Sequence, residues 1–165
     1  KETDQKPQLE IEPISEQNRA FANKCFDYLR ENTKLGKEEC FKSIDMTSKS
    51  QIDFFINDDT ITRFINARDK NEKKAFEMWS TWVKWRETYH PEKISVDSIK
   101  NELEKGKIFV HGKDKEGRLC IIIKSAKHFP SETSMENTMK LAVFWIERIT
   151  KLADESGQKQ IVAIV

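Results

Sequence analysis

The residues able to do chemistry are few in this chain and lie far apart. His90, His111 and His128 stand alone, none in an H-x-x-x-H pair and none beside a cysteine pair, so they supply no metal-ligand set. Gly106-Lys-Ile-Phe-Val-His-Gly112-Lys113 has the outline of a phosphate loop. Five residues separate its glycines where four are needed, however, and Asp114 stands in the Ser/Thr position. There is no nucleophile elbow, and the carboxylates fall mainly on polar helical faces, so neither a nucleophile nor an acid–base pair can be nominated. The expectation is a protein that is not an enzyme and takes no metal and no cofactor.

Arg63 and Arg68 carry more information. Ile61, Phe64, Ile65 and Arg68 fall at i, i+3, i+4 and i+7, so a helix places an arginine at the end of an apolar face. A guanidinium there suits either a bidentate phosphate contact or a structural ion pair, and residue type alone favours the pair. Trp79, Trp82 and Trp85 share a helical stripe with Ala75, Met78 and Tyr89. Base stacking is the alternative use of such a stripe, but its apolar neighbours argue for core packing.

The elements that must position these side chains follow from the periods. Residues 1–14 read as a polar tail with Pro7 and Pro13. Ser15 then caps a helix carrying Phe21, Cys25, Tyr28 and Leu29 that closes before Gly36. A short helix is expected between Ser48 and Ile56. Asp58 or Asp59 caps the Ile61 helix, Asn71 caps the tryptophan helix that Pro91 ends, and a last short helix carries Val96, Ile99 and Leu103 to Gly106. Beyond Gly106 the period becomes that of strands. Lys107–His111 and Leu119–Lys124 flank a Gly-Lys-Asp-Lys-Glu-Gly turn as a hairpin, and Cys120–Ile123 is apolar on both faces, as a doubly covered strand would be. Thr133-Ser-Met-Glu136 forms a capping box for a helix presenting Met135, Met139, Ala142, Ile146, Ile149 and Ala153 on one face, and Ile161–Val165 is a further strand. Strand, helix, strand predicts a parallel crossover. The expected fold class is therefore α/β, with a helical lobe over 15–106 and an incomplete mixed sheet over 107–165.

Composition agrees with that reading. The 165 residues include only five Gly and four Pro, which disfavours a many-turned β-barrel. Lys plus Arg number 29 against 28 Asp plus Glu, so no global field draws the chain to nucleic acid. The longest apolar runs, such as Leu141–Ile146, fall far short of the ~20 residues of a membrane span. Cys25, Cys40 and Cys120 are odd in number and widely spaced, as reduced thiols of a cytoplasmic protein are. The sheet reads as unfinished at Val165, which predicts a fragment whose open strand edge favours self-association.

Ordered motifs add a resemblance. Asp59-Thr-Ile-Thr-Arg63-Phe-Ile-Asn-Ala-Arg68-Asp, then Lys74-Ala-Phe-Glu-Met-Trp79 and Trp82-Val-Lys-Trp85-Arg86, are similar to the N-terminal helical region of the CRAL-TRIO lipid-transfer family. Lys105-Gly106, Val110-His-Gly112-Lys-Asp114-Lys-Glu-Gly117-Arg118, His128-Phe-Pro130 and Trp145-Ile-Glu147 continue the likeness, which is greatest to short plant members. Two positions depart from it: Asp69 stands where many fungal members have lysine, and Leu119 where proline is usual.

The resemblance implies a helical lobe followed by a lipid-binding lobe that encloses a phospholipid or other hydrophobic ligand. It implies phosphatidylinositol and phosphatidylcholine exchange between membranes, peripheral membrane contact, and no covalent chemistry. By the same resemblance Arg68 is the lipid-headgroup contact. The remaining strands, gate and most of the pocket would follow Val165, so the chain alone is expected to lack a complete pocket. The alternative is a protein-interaction module that uses the tryptophan-rich helical lobe.

Overall fold

The structure, a computed structural model, describes residues 14–37, 54–158 and 160–165. The chain forms two compact units, which divide between Tyr89 and His90.

The first unit is helical: α1 (Glu16–Asn32), α2 (Lys34–Lys37), α3 (Asp58–Asn66) and α4 (Glu72–Tyr89). Ser15 is the N-cap of α1, as its position predicts, yet its hydroxyl does not bond back to the helix. It donates instead to Asp58 Oδ1 at 2.9 Å, which also accepts from the Ser15 backbone at 3.0 Å and from Asn18 Nδ2 at 2.9 Å. One carboxylate oxygen thus clasps the starts of α1 and α3 together. Burial opposes its ionisation, but the bonds from Asn18 and Ser15 outweigh that and hold the carboxyl below its usual range. Because Asp58 is committed there, the cap of α3 is Asn57, whose side chain accepts from Thr60 N at 2.7 Å; this corrects the expectation of Asp58 or Asp59. Asn71 caps α4 as expected, accepting from Lys74 N at 3.0 Å. The helix expected between Ser48 and Ile56 lies largely outside the described residues, and its last residues form a turn and bend leading to Asn57.

The core of this unit gathers Phe21, Ala22, Cys25, Phe26 and Leu29 of α1 around Ile56, Ile61, Ala75, Trp79 and Val83. Only Trp79 of the three tryptophans is fully buried; Trp82 and Trp85 are half-buried. The buried stripe of α4 is Ala75, Trp79, Val83 and Arg86, because eighteen residues at 3.6 per turn place Trp82 and Trp85 on its flanks. Trp82 lies in a ring cluster with Phe54, Phe55 and Phe64, and Trp85 stacks on Tyr89. Trp79 also donates its indole proton to Phe55 O at 3.0 Å, satisfying the one polar atom it buries.

The second unit holds single 3-10 turns at Pro91–Lys93 and Asp97–Ile99, then α5 (Lys100–Glu104), β1 (Ile108–Lys113), β2 (Leu119–Ile123), α6 (Met135–Glu155) and β3 (Ile161–Ile164). The sheet order is β1-β2-β3. β1 and β2 pair antiparallel, Phe109 opposite Ile122 and Val110 opposite Ile121, with an irregularity before Lys113; β2 and β3 pair parallel, Cys120 opposite Val162. This is the α/β arrangement with a small mixed sheet that the periods predicted. The hairpin turn is organised by Asp114, whose side chain accepts from the backbones of Glu116 and Arg118 at 3.0 and 2.9 Å and binds Arg118 Nε at 2.7 Å.

α6 covers one sheet face, where Ile149 and Ala153 meet Leu119, Ile121, Ile108 and Val110. Leu141 and Phe144 pack with Ile99, Ile94 and Leu103 on its other flank. The expected face of α6 is therefore corrected: Met135, Met139 and Ile146 are 77%, 50% and 59% exposed. The buried residues of α6 are Leu141, Val143, Phe144, Ile149 and Ala153, so the methionine edge faces out. The expected capping box is likewise reassigned. Ser134 caps α6 by accepting from Asn137 N at 3.1 Å, Glu136 pairs with Lys140 at 2.6 Å, and Thr133 is left for another bond.

Two stability contrasts follow. Trp79→Ala is expected to cost about 3–5 kcal/mol by leaving a cavity, while Trp82→Ala costs distinctly less, measured by urea unfolding of each variant. Gly36→Ala is expected to destabilise by about 1–3 kcal/mol in the same measurement, since a Cβ there would clash with the carbonyl oxygens of Leu29 and Arg30.

Candidate functional site

Arg68, the nominated headgroup residue, does not sit on the face of α3. That helix ends at Asn66, and Lys70 N donates to Ile65 O at 3.0 Å while Asp69 and Lys70 adopt left-handed φ of 51° and 62°. The chain therefore turns out of the helix before the i+7 position is reached. Arg68 lies exposed on this turn, and its guanidinium donates to Ala67 O at 3.0 Å. Among the described residues it forms no ion pair, so the structural pair that residue type favoured is not seen among them. Arg63 is exposed on α3 and donates to Thr60 Oγ1 at 3.3 Å. The stretch from Gly106 to Lys113 is helix end and strand, with Gly106 at φ 58° closing α5, and has no phosphate-loop geometry.

The most constrained polar cluster in the second unit was not picked out from the sequence. Glu102 of α5 is only 3% exposed. Its Oε1 accepts from Thr133 Oγ1 at 2.7 Å and Lys105 Nζ at 2.9 Å, and its Oε2 accepts from the buried Lys107 Nζ at 2.7 Å. Burial raises the carboxyl pKa, and the bonds from Lys107, Thr133 and Lys105 more than reverse this, bringing it down to about 2. Lys105 Nζ also donates to Glu132 O at 3.1 Å, and Lys127 Nζ to Lys105 O at 3.3 Å. Three positions from 125–134 are thereby tied to the end of α5. The sequence signal was a pair of lysines spaced around a glycine just after Glu102, but periodicity placed Lys107 at the head of a strand and Thr133 in a helix cap.

Beside this cluster lies a shallow polar depression lined by Asn101, Glu102, Glu104, Lys105, Glu132 and Asn137. Its lining suits no apolar tail. Apolar surface is found instead on β3 and α6, where Ile161, Ile164, Met139 and Ile146 are exposed. No helix among the described residues is long and apolar enough to cross a membrane. No group of His, Cys, Asp or Glu among them is placed to hold a metal ion.

Comparison with known proteins agrees with the resemblance over the second unit. Residues 103–165 match the family model of the CRAL/TRIO domain, which here takes in the end of α5, the whole sheet and α6. The phosphatidylinositol/phosphatidylcholine transfer protein SFH13 of Arabidopsis thaliana is 34% identical over 97 residues, covering 54% of this chain and 16% of its own length. Patellin-2 of the same plant is 34% identical over 94 residues, covering 56% and 14%. The resemblance to the CRAL-TRIO family is borne out. The chain spans only 16% and 14% of the lengths of these two relatives.

The buried carboxylate gives an acid-stability prediction. A pKa lowered from 4.5 to about 2 means that Glu102 contributes stability in full above the unfolded value, lost as pH falls through the folded one. Unfolding free energy should therefore drop by on the order of 3 kcal/mol between pH 5 and pH 2 on this account. Glu102→Gln should be less stable at pH 7 and show a flatter acid limb, read by denaturant titration across that range.

Proposed function

We propose that the whole protein binds a hydrophobic lipid and passes it between membranes, with phosphatidylinositol and phosphatidylcholine as its cargo. The single observation that carries the reading is the CRAL/TRIO match over 103–165, which coincides with the mixed sheet and its covering helix α6. The likeness to SFH13, a phosphatidylinositol/phosphatidylcholine transfer protein, supports the choice of phospholipid. Such a site works by burying an apolar ligand between preformed walls, which requires no group that forms or breaks covalent bonds. The protein then acts in the cytoplasm and touches membranes from the outside.

In this reading Arg68 is the headgroup contact. Its exposure, and a guanidinium bonded, among the described residues, only to the carbonyl of the residue before it, support a role outside the packing of the helical unit. Two successive non-glycine residues held left-handed beside it are the kind of local strain that accompanies functional turns.

The test is organic extraction of the purified whole protein with mass spectrometry of what is released, followed by transfer of labelled phosphatidylinositol and phosphatidylcholine between vesicles. A charge-assisted bond to phosphate is worth about 1.5–3 kcal/mol, so Arg68→Ala is expected to slow phosphatidylinositol transfer about tenfold or more. Phosphatidylcholine transfer and melting temperature should hold. Loss of both lipids together with a lower melting temperature would make Arg68 structural, and a protein that releases no lipid would overturn the carrier reading.

A further inference from the structure

We propose that residues 124–134 form a strap that opens as one unit while the sheet and α6 stay folded. The strap consists of the 3-10 turns Ser125–Lys127 and Pro130–Glu132 with the residues that join them to β2 and α6. Every residue from Lys124 to Glu132 is exposed, including Phe129, the largest apolar side chain there, at 53%. The backbone bonds of the two turns close inside the strap: Lys127 N donates to Lys124 O at 2.9 Å, His128 N to Ser125 O at 3.0 Å and Glu132 N to Phe129 O at 3.0 Å. Apolar burial therefore does little to hold it down, and the free energy of its opening is set by its polar ties.

Those ties converge on one residue. Lys127 Nζ donates to Lys105 O at 3.3 Å, and Lys105 Nζ donates to Glu132 O at 3.1 Å. The same Nζ meets Glu102 Oε1 at 2.9 Å, where Thr133 Oγ1 also donates at 2.7 Å. Lys105 thus anchors the first turn through its backbone and the second through its side chain, and it shares a carboxylate oxygen with Thr133. Releasing either end loosens a group that holds the other, so bonds linked in this way are lost together. α6 stands at a different level of stability, because Leu141, Phe144 and Ile149 are buried against Ile99 and the sheet. Lifting the strap withdraws Glu132 from the wall of the polar depression and admits water to Glu102 and Lys107, which are 3% and 5% exposed beneath it. That water takes the place of the Thr133 hydroxyl, so the carboxylate keeps its donors and the opening costs little. The strap is a cover over a buried ion pair, whatever the protein carries.

Hydrogen–deuterium exchange of the whole protein, resolved to single amides by electron-transfer fragmentation, tests the strap. The amides of Lys127, His128 and Glu132 should share one level of protection, below that of Leu141 and Phe144, and should respond little to low urea, as a small opening requires. Thr133→Val should speed exchange about tenfold or more at Lys127 and His128, in the far turn, and Thr133→Ser should restore it. Lys127→Met leaves the donors to Glu102 in place. It should speed exchange at Glu132 about threefold or more with the melting temperature unchanged, which keeps the test decisive if Thr133→Val lowers that temperature. Strap amides that exchange only together with those of α6, strap amides without protection in the parent, or variants that speed only the turn they touch would each overturn the proposal.

Discussion

The second unit is organised around one charge that water cannot reach. An ionised carboxylate in a protein interior is tolerated only when donors replace its hydration, and Glu102 has its two oxygens filled by two ammonium groups and a hydroxyl. Those donors come from the turn after α5, the residue before β1 and the residue before the cap of α6. Removing any one would leave a buried charge partly unmet, so three stretches of backbone are fixed by the electrostatics of a single residue. The apolar contacts of Ile99, Leu141 and Phe144 are then built on a framework already in register.

The helical unit relies on a carboxylate met by neutral donors and on a large ring. Asp58 joins the starts of α1 and α3 by accepting three bonds on one oxygen, and Trp79 fills the centre while handing its indole proton to Phe55. Around Trp79 the neighbours meet edge-on or stacked, Tyr28 and Phe76 among them, which is how aromatic quadrupoles pack without voids. Trp82 belongs to a second aromatic group, in which the Arg86 guanidinium lies 4.4 Å over the Phe54 ring, while Trp85 stacks on Tyr89.

What the sequence revealed was what periodicity can carry. The helices from Ser15 and Asn71, the hairpin, the long helix and the final strand all occur where the apolar spacing placed them, because one buried face per element is a local property of the chain. Which flank of an apolar stripe is buried is not local. Met135, Met139 and Ile146 satisfy the helical period as well as Leu141 and Phe144 do, so the period alone does not decide between them. Side-chain hydrogen bonds across the chain were also illegible: Asp58, Thr133 and Ser134 are all plausible caps, and the one that caps is the one with no distant partner. Arg68 was nominated by family likeness and by spacing, and the spacing failed where two left-handed residues ended the helix early.

The sheet joins contacts of very different reach. β1 and β2 meet through a short turn that Asp114 closes, whereas Leu119 finds Ile161 only after the whole of α6 has been laid down between them. Closing a loop of that size costs more chain entropy before any contact rewards it, so pairing of β3 belongs late on the folding route. Until then the outer edge of β2 is open, and the apolar run Leu119–Ile123 is available to other chains. The steadiness of α6, set by the Ser134 cap and the Glu136–Lys140 pair at its first turns, therefore governs how long that edge stays unguarded during synthesis.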